Sequence, residues 1–323
     1  MVVHNGGMNS NVWPRTIFLF LLAFCLTPWA SPPLALALGL ALALTLGNPF
    51  HDGSKHAARW LLQGCVVLLG FGMNLAVVLK AGANGAGFAA GSIGFTFVLG
   101  WWLRERLGIG AKTSALISAG TAICGGSAIA AVGSVVGALE GEMTVAMGTV
   151  FVLNAVALFV FPPLGHALHL TQTQFGTWAG VAIHDVSSVV GAASRYGPDA
   201  LQTATAVKLS RALWIIPVSL AAAFAFRRSA APGQAAGRIQ IPWFIGLFVL
   251  ASVARTFLPP VAALAPTVTH GATVGLTVTL FLIGAGLSRS MLSSVGWKPL
   301  AQGVLLWLSI SAGSLWVVLR VVR

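Results

Sequence analysis

A histidine and an aspartate stand side by side in an otherwise apolar stretch, VAIHDVSSVVGA, at residues 181–192. His184 and Asp185 are followed by the hydroxyl groups of Ser187 and Ser188. A charge at the centre of a bilayer costs roughly 2.5 to 3.5 kcal/mol, so such groups face the protein interior and mark functional sites or paired charges. Asp185 is expected to carry a coupling proton, with His184 as a relay. A core histidine bonded to a neighbouring helix is the competing interpretation of His184.

Two cations follow in the next apolar stretch, TATAVKLSRALWIIP, at residues 203–217. Lys208 and Arg211 are three residues apart, so they share one face of a helix. With Asp185 as the one carboxylate nearby, one positive charge is left over in a place of low dielectric constant. A bound anion would balance it, and the arginine fork with the compact lysine charge suits sulfonate, sulfate or carboxylate groups. The alternative is a structural salt-bridge cluster that binds no ligand.

Paired glycines interrupt a third apolar stretch, SAGTAICGGSAIAAVGS, at residues 118–134. Gly125 and Gly126 weaken a helix, and an opened helix presents free N–H groups at the N-terminus of its second half, which favours an anion. Small residues that only allow close helix packing are the alternative. The side chains expected at this break belong to Thr121, Cys124 and Ser127.

The composition indicates an integral membrane protein. Hydrophobic residues make up 57% of the chain, charged residues make up 7%, and the mean hydropathy is +0.90. The net charge of +12 is spread over the ends of apolar runs, which is typical of membrane topology and argues against a nucleic-acid partner. Three cysteines without metal-ligand spacing predict no metal site, and no GxxxxGK[ST] loop or other cofactor motif occurs, so we expect no cofactor.

Apolar runs predict an all-α polytopic protein of one domain with about ten or eleven transmembrane helices. With a cytoplasmic N-terminus, eleven Lys and Arg residues fall inside and five outside, which favours N-in and C-out in a bacterial inner membrane. Glu140 and Glu142 then face outward. The predicted spans are 15–30, 33–47, 58–79, 84–103, 112–137, 143–165, 174–195, 199–226, 241–258, 267–288 and 299–320.

Two pairs of segments resemble each other within the chain. Residues 69–82 share three glycines with residues 283–296 at a constant offset, seven spans apart, as an inverted repeat requires. Residues 122–131 match residues 182–191 at three of ten positions. Those two spans are an even number apart and hence parallel, so either the span count or the match is wrong.

Four motifs together resemble the bacterial YeiH-type family of proposed sulfate exporters, over nearly the whole chain. They are GFGMNL (70–75), GTAICGGSAIAAV (120–132), FGTWAGVAIHDVSSVVGAA (175–193) and ATAVKLSRALWIIP (204–217). The resemblance implies a fold similar to bile-acid/sodium symporters and sodium/proton antiporters, with inverted repeats at about 15–165 and 172–320, crossed broken helices, and a core domain that moves against a panel domain. It also implies that residues 121–127 and 184–188 form two broken-helix sites beside Lys208 and Arg211.

The predicted function is secondary transport of a small anion such as sulfate or an organic sulfonate, by alternating access and driven by an ion gradient. The expected partners are the lipid bilayer, the anion and a coupling proton or sodium ion, and a homodimer is left open. One rival is an intramembrane enzyme that uses Cys124, His184 and Asp185 as nucleophile, base and orienting group. Another is a passive anion channel.

Overall fold

The chain forms an all-α protein in a computed structural model that describes residues 12–226 and 243–322. Every regular element in these ranges is a helix, so the predicted all-α polytopic membrane fold is confirmed. Five helical segments of the described ranges are long and apolar enough to cross a membrane, namely Ala86–Leu107, Glu140–Ala167, Pro198–Phe226, Pro259–Gly286 and Trp297–Val321. Four of the cations counted for topology, Arg227, Arg228, Arg238 and Arg323, lie outside the described residues, as does the start of the predicted span 241–258.

The helices occupy the described parts of all eleven apolar ranges, although three ranges hold two helices. In chain order they are α1 (Val12–Phe24), α2 (Pro32–Thr45), α3 (His51–Gly70), α4 (Leu75–Leu107), α5 (Ala111–Ala122), α6 (Gly126–Val136), α7 (Glu140–Ala167), α8 (Gln172–Ala182), α9 (Val186–Tyr196), α10 (Pro198–Ala212), α11 (Ile215–Phe226), α12 (Trp243–Phe257), α13 (Pro259–Gly286), α14 (Arg289–Ser294) and α15 (Trp297–Val321).

Helices α5 and α6 fold back on each other as a hairpin, hairpin 1. Lys112 Nζ, at the start of α5, donates to the carbonyl oxygen of Gly137, just beyond α6, over 2.6 Å. A Cβ added at Gly133 would lie 3.5 Å from Leu116 Cδ2, so the arms also touch further in. A continuous helix would place residues 112 and 137 about 37 Å apart. The chain therefore enters and leaves on the same side.

Helices α8 and α9 form a second such hairpin, hairpin 2. The hydroxyl group of Tyr196, at the end of α9, donates to the carbonyl oxygen of Leu170 over 2.6 Å. The rings of Phe175 and Tyr196 stack with centroids 3.8 Å apart. The backbone N–H of Asp199 donates to Gln172 Oε1, which closes the base of the hairpin.

The two hairpins correct the sequence prediction. The ranges 112–137 and 174–195 contain the expected breaks, but neither crosses the protein, and the predicted crossing of two broken helices is wrong. The physical reason is that the chain reverses at each break. Gly125 has φ +63° and ψ −126°, and Ile183 and Asp185 are extended. Only α7 separates the hairpins, so they enter from opposite sides.

Helix α7 connects the bases of the hairpins, and their tips meet beside its midpoint. Its 28 residues span about 42 Å, and arms of 11 or 12 residues reach about 17 Å inward from each end. Asn154, about 21 Å along α7, bonds to the tip of hairpin 2. Glu140 and Glu142, at the start of α7, therefore lie on the same side as Arg104, and the expectation that they face the opposite side is wrong.

Close contacts at glycines join helices from the two ends of the chain. A Cβ added at Gly70 in α3 would clash with the carbonyl oxygen of Phe248 in α12, and one added at Gly284 in α13 would clash with that of Leu36 in α2. Gly70 and Gly284 are the pair matched in the sequence, so the two glycines serve the same purpose of close helix packing. Helices α1–α4 precede hairpin 1, and helices α10–α15 follow hairpin 2.

Candidate functional site

The hairpin tips contact each other in the centre of the protein. A Cβ added at Gly125 would lie 3.5 Å from the carbonyl oxygen of His184 and 3.6 Å from Asp185 Cα. The structure thus brings together the two breaks that the sequence predicts as sites. Most predicted side chains are buried there, including those of Thr121, Cys124, His184, Asp185, Ser187 and Ser188. Gly126 is half-buried, and Ser127 is exposed, so the tip of hairpin 1 is accessible from one side.

Two cations on α10 each bond to the end of a hairpin arm. Lys208 is 0% exposed, and its Nζ donates to the carbonyl oxygen of Ile183, at the end of α8, over 2.6 Å. Arg211 is 1% exposed, and its Nη2 donates to the carbonyl oxygen of Ala122, the last residue of α5. Its Nη1 donates to Ser92 Oγ over 2.8 Å. One face of α10 therefore holds both tips.

Polar groups of hairpin 2 fix its tip in place. Asp185 accepts a 3.0 Å hydrogen bond from the backbone N–H of Ser187 and another from the Ser187 hydroxyl, so it caps the N-terminus of α9. Asn154 Oδ1 accepts from the backbone N–H groups of His184 and Asp185, over 3.0 and 3.1 Å. Nothing in the sequence distinguished Ser92, the partner of Arg211, from its small neighbours.

The N-terminus of α6 has no such side-chain cap. Its first residues follow Gly125, which carries no side chain to accept from them. The thiol of Cys124 lies within hydrogen-bonding reach of the Ser127 hydroxyl and the Ala128 N–H. A neutral thiol is a weak acceptor, so the positive end of α6 stays largely uncompensated, in contrast to the capped α9.

Several buried polar atoms around the tips have no hydrogen-bond partner within the described residues. They are Thr121 Oγ1, Asn154 Nδ2, His184 Nδ1 and Nε2, and Arg211 Nε. An unsatisfied buried polar group costs about 1 to 3 kcal/mol, so such atoms call for a bound water or ligand. They include donors and lie on both hairpins, α7 and α10, so the contact between the tips has buried polar groups on every side.

The site carries a surplus of positive charge. Among the six carboxylates of the chain, all within the described ranges, only Asp185 is buried, against the two buried cations Lys208 and Arg211. Two helix N-termini and two C-termini meet at the tips, and their dipole charges of about half a unit each cancel. Counted formally, with Lys208 and Arg211 charged and His184 as the neutral imidazole, one positive charge is left over.

Cavities lie on both sides of the tips. One of about 480 Å³ lies between α4, α5 and α11 on the side where hairpin 1 enters, and its lining is mostly apolar, with Ser114, Ser118 and Arg104 as its few polar residues. Another of about 130 Å³ lies on the side where hairpin 2 enters, and Gln202 and Thr205 of α10 line it. Helix α10, which carries both cations, lines the smaller cavity. Helix α11, which follows it in the chain, lines the larger one.

The structure brings Cys124 and His184 into the same region without forming a catalytic pair. No hydrogen bond within the described residues joins a ring nitrogen of His184 to the Cys124 thiol, and the ring lies close to the backbone of Val150 on α7. A nucleophile and its base need such a contact at about 2.6 to 3.2 Å. The geometry therefore gives the enzyme interpretation no support.

A multi-pass helical fold with two opposed hairpins and a charged, buried site defines a membrane protein of the transporter-like kind. The chain belongs to the family described as Conserved hypothetical protein 698, whose sequence profile it matches over residues 16–303.

Three bacterial relatives, each named a UPF0324 membrane protein, are similar to it over most of their length. The relative from Bacteroides thetaiotaomicron is 52% identical over 89% of this chain and 86% of its own, and that from Porphyromonas gingivalis is 50% identical over 91% and 89%. The relative from Bdellovibrio bacteriovorus is 46% identical over 98% and 97%. No solved structure matches the chain.

Proposed function

We propose that this protein is a secondary transporter that binds a small anion between the hairpin tips and moves it by alternating access. The observation that carries the proposal is the buried positive charge that no carboxylate of the chain balances, beside the uncapped N-terminus of α6. Charges inside a membrane protein are expensive unless they are compensated, and an anion supplies the missing charge. A purely structural salt-bridge cluster is disfavoured because neither Lys208 nor Arg211 makes an ion pair within the described residues.

Each element of the site has a part in this proposal. The free N–H groups at the start of α6 and the hydroxyl of Thr121 donate to the anion, as helix N-termini at the midplane of transporters do. Lys208 and Arg211 supply the attracting field and retain further donors, including Arg211 Nε. Asp185 and His184 carry the coupling proton, and Ser187 and Ser188 keep the tip of hairpin 2 polar.

Alternating access is supported by the cavities on opposite sides of the tips. We propose a core of both hairpins with α7 and α10, which moves against a panel of α2, α3, α12 and α13. The halves at about 15–165 and 172–320 form inverted repeats in this proposal. The opposite orientation of the two hairpins supports that arrangement.

The remaining parts of the proposal concern the substrate, the direction of transport and the orientation of the protein in the membrane. The resemblance to proposed sulfate exporters favours sulfate or an organic sulfonate as the substrate and export as the direction. The distribution of Lys and Arg favours a cytoplasmic N-terminus, and it is unchanged by the hairpins because no Lys or Arg lies at residues 138–171. The bacterial relatives support the inner membrane as the location.

The test is ligand-dependent stabilisation of the purified protein, followed by flux. Sulfate, sulfite, sulfonates and carboxylates are compared by thermal unfolding, because an anion at 100 times its Kd stabilises the folded state by about 2.7 kcal/mol. The stabilising anion is then tested in proteoliposomes, where a transporter shows saturation and counter-transport and a channel shows neither. If no anion stabilises the protein or crosses the membrane, the proposal is wrong.

Replacement of the thiol distinguishes the transporter from an enzyme. Cys124→Ser conserves the size of the side chain and should leave anion flux within about twofold of the unmodified protein, because the thiol is not required for binding. An intramembrane enzyme with Cys124 as nucleophile would lose its activity instead. A complete loss of flux in a folded Cys124→Ser protein would contradict the expectation that transport does not require the thiol.

A further inference from the structure

Each helix C-terminus at the hairpin tips is occupied by a side-chain cation. Ile183 directly follows α8, and its carbonyl oxygen accepts from Lys208. Helix α5 ends at Ala122, whose carbonyl oxygen accepts from Arg211. Both cations come from α10, outside either hairpin. The same arrangement thus occurs twice, once on each side of the contact between the tips.

These helix ends have the chemistry of a cation site. The last carbonyl groups of a helix lack partners within the helix, and together they carry about half a negative charge. In transporters with discontinuous helices, such carbonyl groups at the midplane coordinate the coupling sodium ion. Here the Lys208 ammonium stands 2.6 Å from the carbonyl oxygen of Ile183. A metal cation at that oxygen would have to displace the Lys208 ammonium or bind directly beside its positive charge.

The only carboxylate near these helix ends, that of Asp185, already accepts hydrogen bonds from its own hairpin. Asp185 accepts from both the N–H and the hydroxyl of Ser187, at the N-terminus of α9. The ionisable groups that face Asp185 from other elements are Lys208 on α10 and Cys124 on hairpin 1. A sodium ion bound there would add to an existing surplus of positive charge.

We propose that Lys208 and Arg211 are built-in substitutes for coupling cations at the two hairpin tips, so that the protein binds and moves its anion without sodium. This inference rests on the proposed function and narrows it, because it leaves the proton at Asp185 as the coupling ion. The tethered charges also bring their own hydrogen-bond donors, which a metal ion lacks. The anion therefore meets two cationic groups that cannot dissociate with it.

The first experiment measures thermal unfolding of the full-length protein in detergent, in sodium chloride, potassium chloride or choline chloride at equal ionic strength. The expected result is the same melting temperature in all three salts. A saturable rise of about 2 °C or more that is specific to sodium would overturn the inference, because it would show a sodium site in the folded protein. This readout requires no transport substrate.

The second experiment removes one tethered cation. Lys208→Ala exposes the carbonyl oxygen of Ile183, so its melting temperature should fall and then rise again with methylammonium, a small cation with N–H donors, but not with choline. Lys55→Ala, at an exposed position on α3, is the matched control and should respond to neither. A folded Lys208→Ala protein that methylammonium does not stabilise would overturn the assignment of Lys208. If the variant does not fold, the wild-type measurement in three salts still decides the inference.

Anion flux separates this inference from the proposed function. Flux of the stabilising anion that is equal in sodium-containing and sodium-free proteoliposomes supports both. Flux that requires sodium overturns the inference and leaves the anion transporter intact. If no anion binds or crosses the membrane and the melting temperatures are equal in the three salts, the proposed function is wrong. The assignment of Lys208 and Arg211 to the two carbonyl oxygens, in place of sodium, is then unaffected.

Discussion

Asn154 offers a test that separates the structural role of the site from its charge. Its Oδ1 accepts hydrogen bonds from the backbone N–H groups of His184 and Asp185 at the tip of hairpin 2, and its Nδ2 has no partner within the described residues. Asn154→Leu removes the acceptor at similar size. Asn154→Asp retains the acceptor and adds a negative charge, which the two N–H donors stabilise. The two variants therefore change one property each.

The expected magnitudes follow from these contacts. Asn154→Leu leaves two buried N–H groups without an acceptor, at about 1 to 3 kcal/mol each, so it should destabilise the protein by about 2 to 6 kcal/mol. Asn154→Asp should retain stability but cancel the surplus positive charge. A unit charge at roughly 6 Å with an effective dielectric constant of 20 contributes about 3 kcal/mol, so the Kd of the anion should rise by about 100-fold.

The assay combines thermal unfolding with equilibrium binding of the stabilising anion. For Asn154→Asp, we expect a melting temperature close to that of the unmodified protein and weak or absent anion binding. Unchanged affinity in this stable variant would refute the charge argument. For Asn154→Leu, a melting temperature equal to that of the unmodified protein would instead refute the structural role of the two hydrogen bonds.

Three further predictions follow from the same geometry. Arg211→Ala should abolish anion uptake in proteoliposomes, whereas Arg195→Ala, at an exposed position on α9, should leave it unchanged; undiminished uptake in Arg211→Ala would remove this residue from the site. Gly39→Ala should lower stability by about 1 to 3 kcal/mol in thermal unfolding, because its Cβ would clash with the backbone of Phe281 in α13, whereas Gly91→Ala, with open space around it, should be neutral or stabilising. Glu105→Cys and Glu140→Cys should react with an impermeant thiol reagent from the same side of the membrane, because hairpin 1 returns to the side it enters; reaction from opposite sides would restore the crossing helix.

The residues of the site were predictable from the sequence to a large extent. An isolated histidine and aspartate, a pair of cations at helical spacing and a double glycine are each unusual in an apolar chain, so they stand out without any knowledge of the fold. Their joint location between two hairpin tips agrees with that expectation. The partners of Lys208 and Arg211 were not predictable, because backbone carbonyl groups leave no mark in a sequence. Ser92 was missed for a similar reason, since a serine in a run of small residues is common in membrane helices.

The sequence alone determined the class of protein, the positions of the chain breaks and the charge imbalance, because hydropathy, glycine pairs and ionisable residues act locally and add along the chain. Only the tertiary structure decided whether an apolar segment of about 25 residues crosses the membrane or returns. Both outcomes are compatible with the same apolar sequence and the same break. The choice depends on contacts between distant residues, such as Lys112 with Gly137 and Tyr196 with Leu170, which form when the two arms pack against each other and against α7.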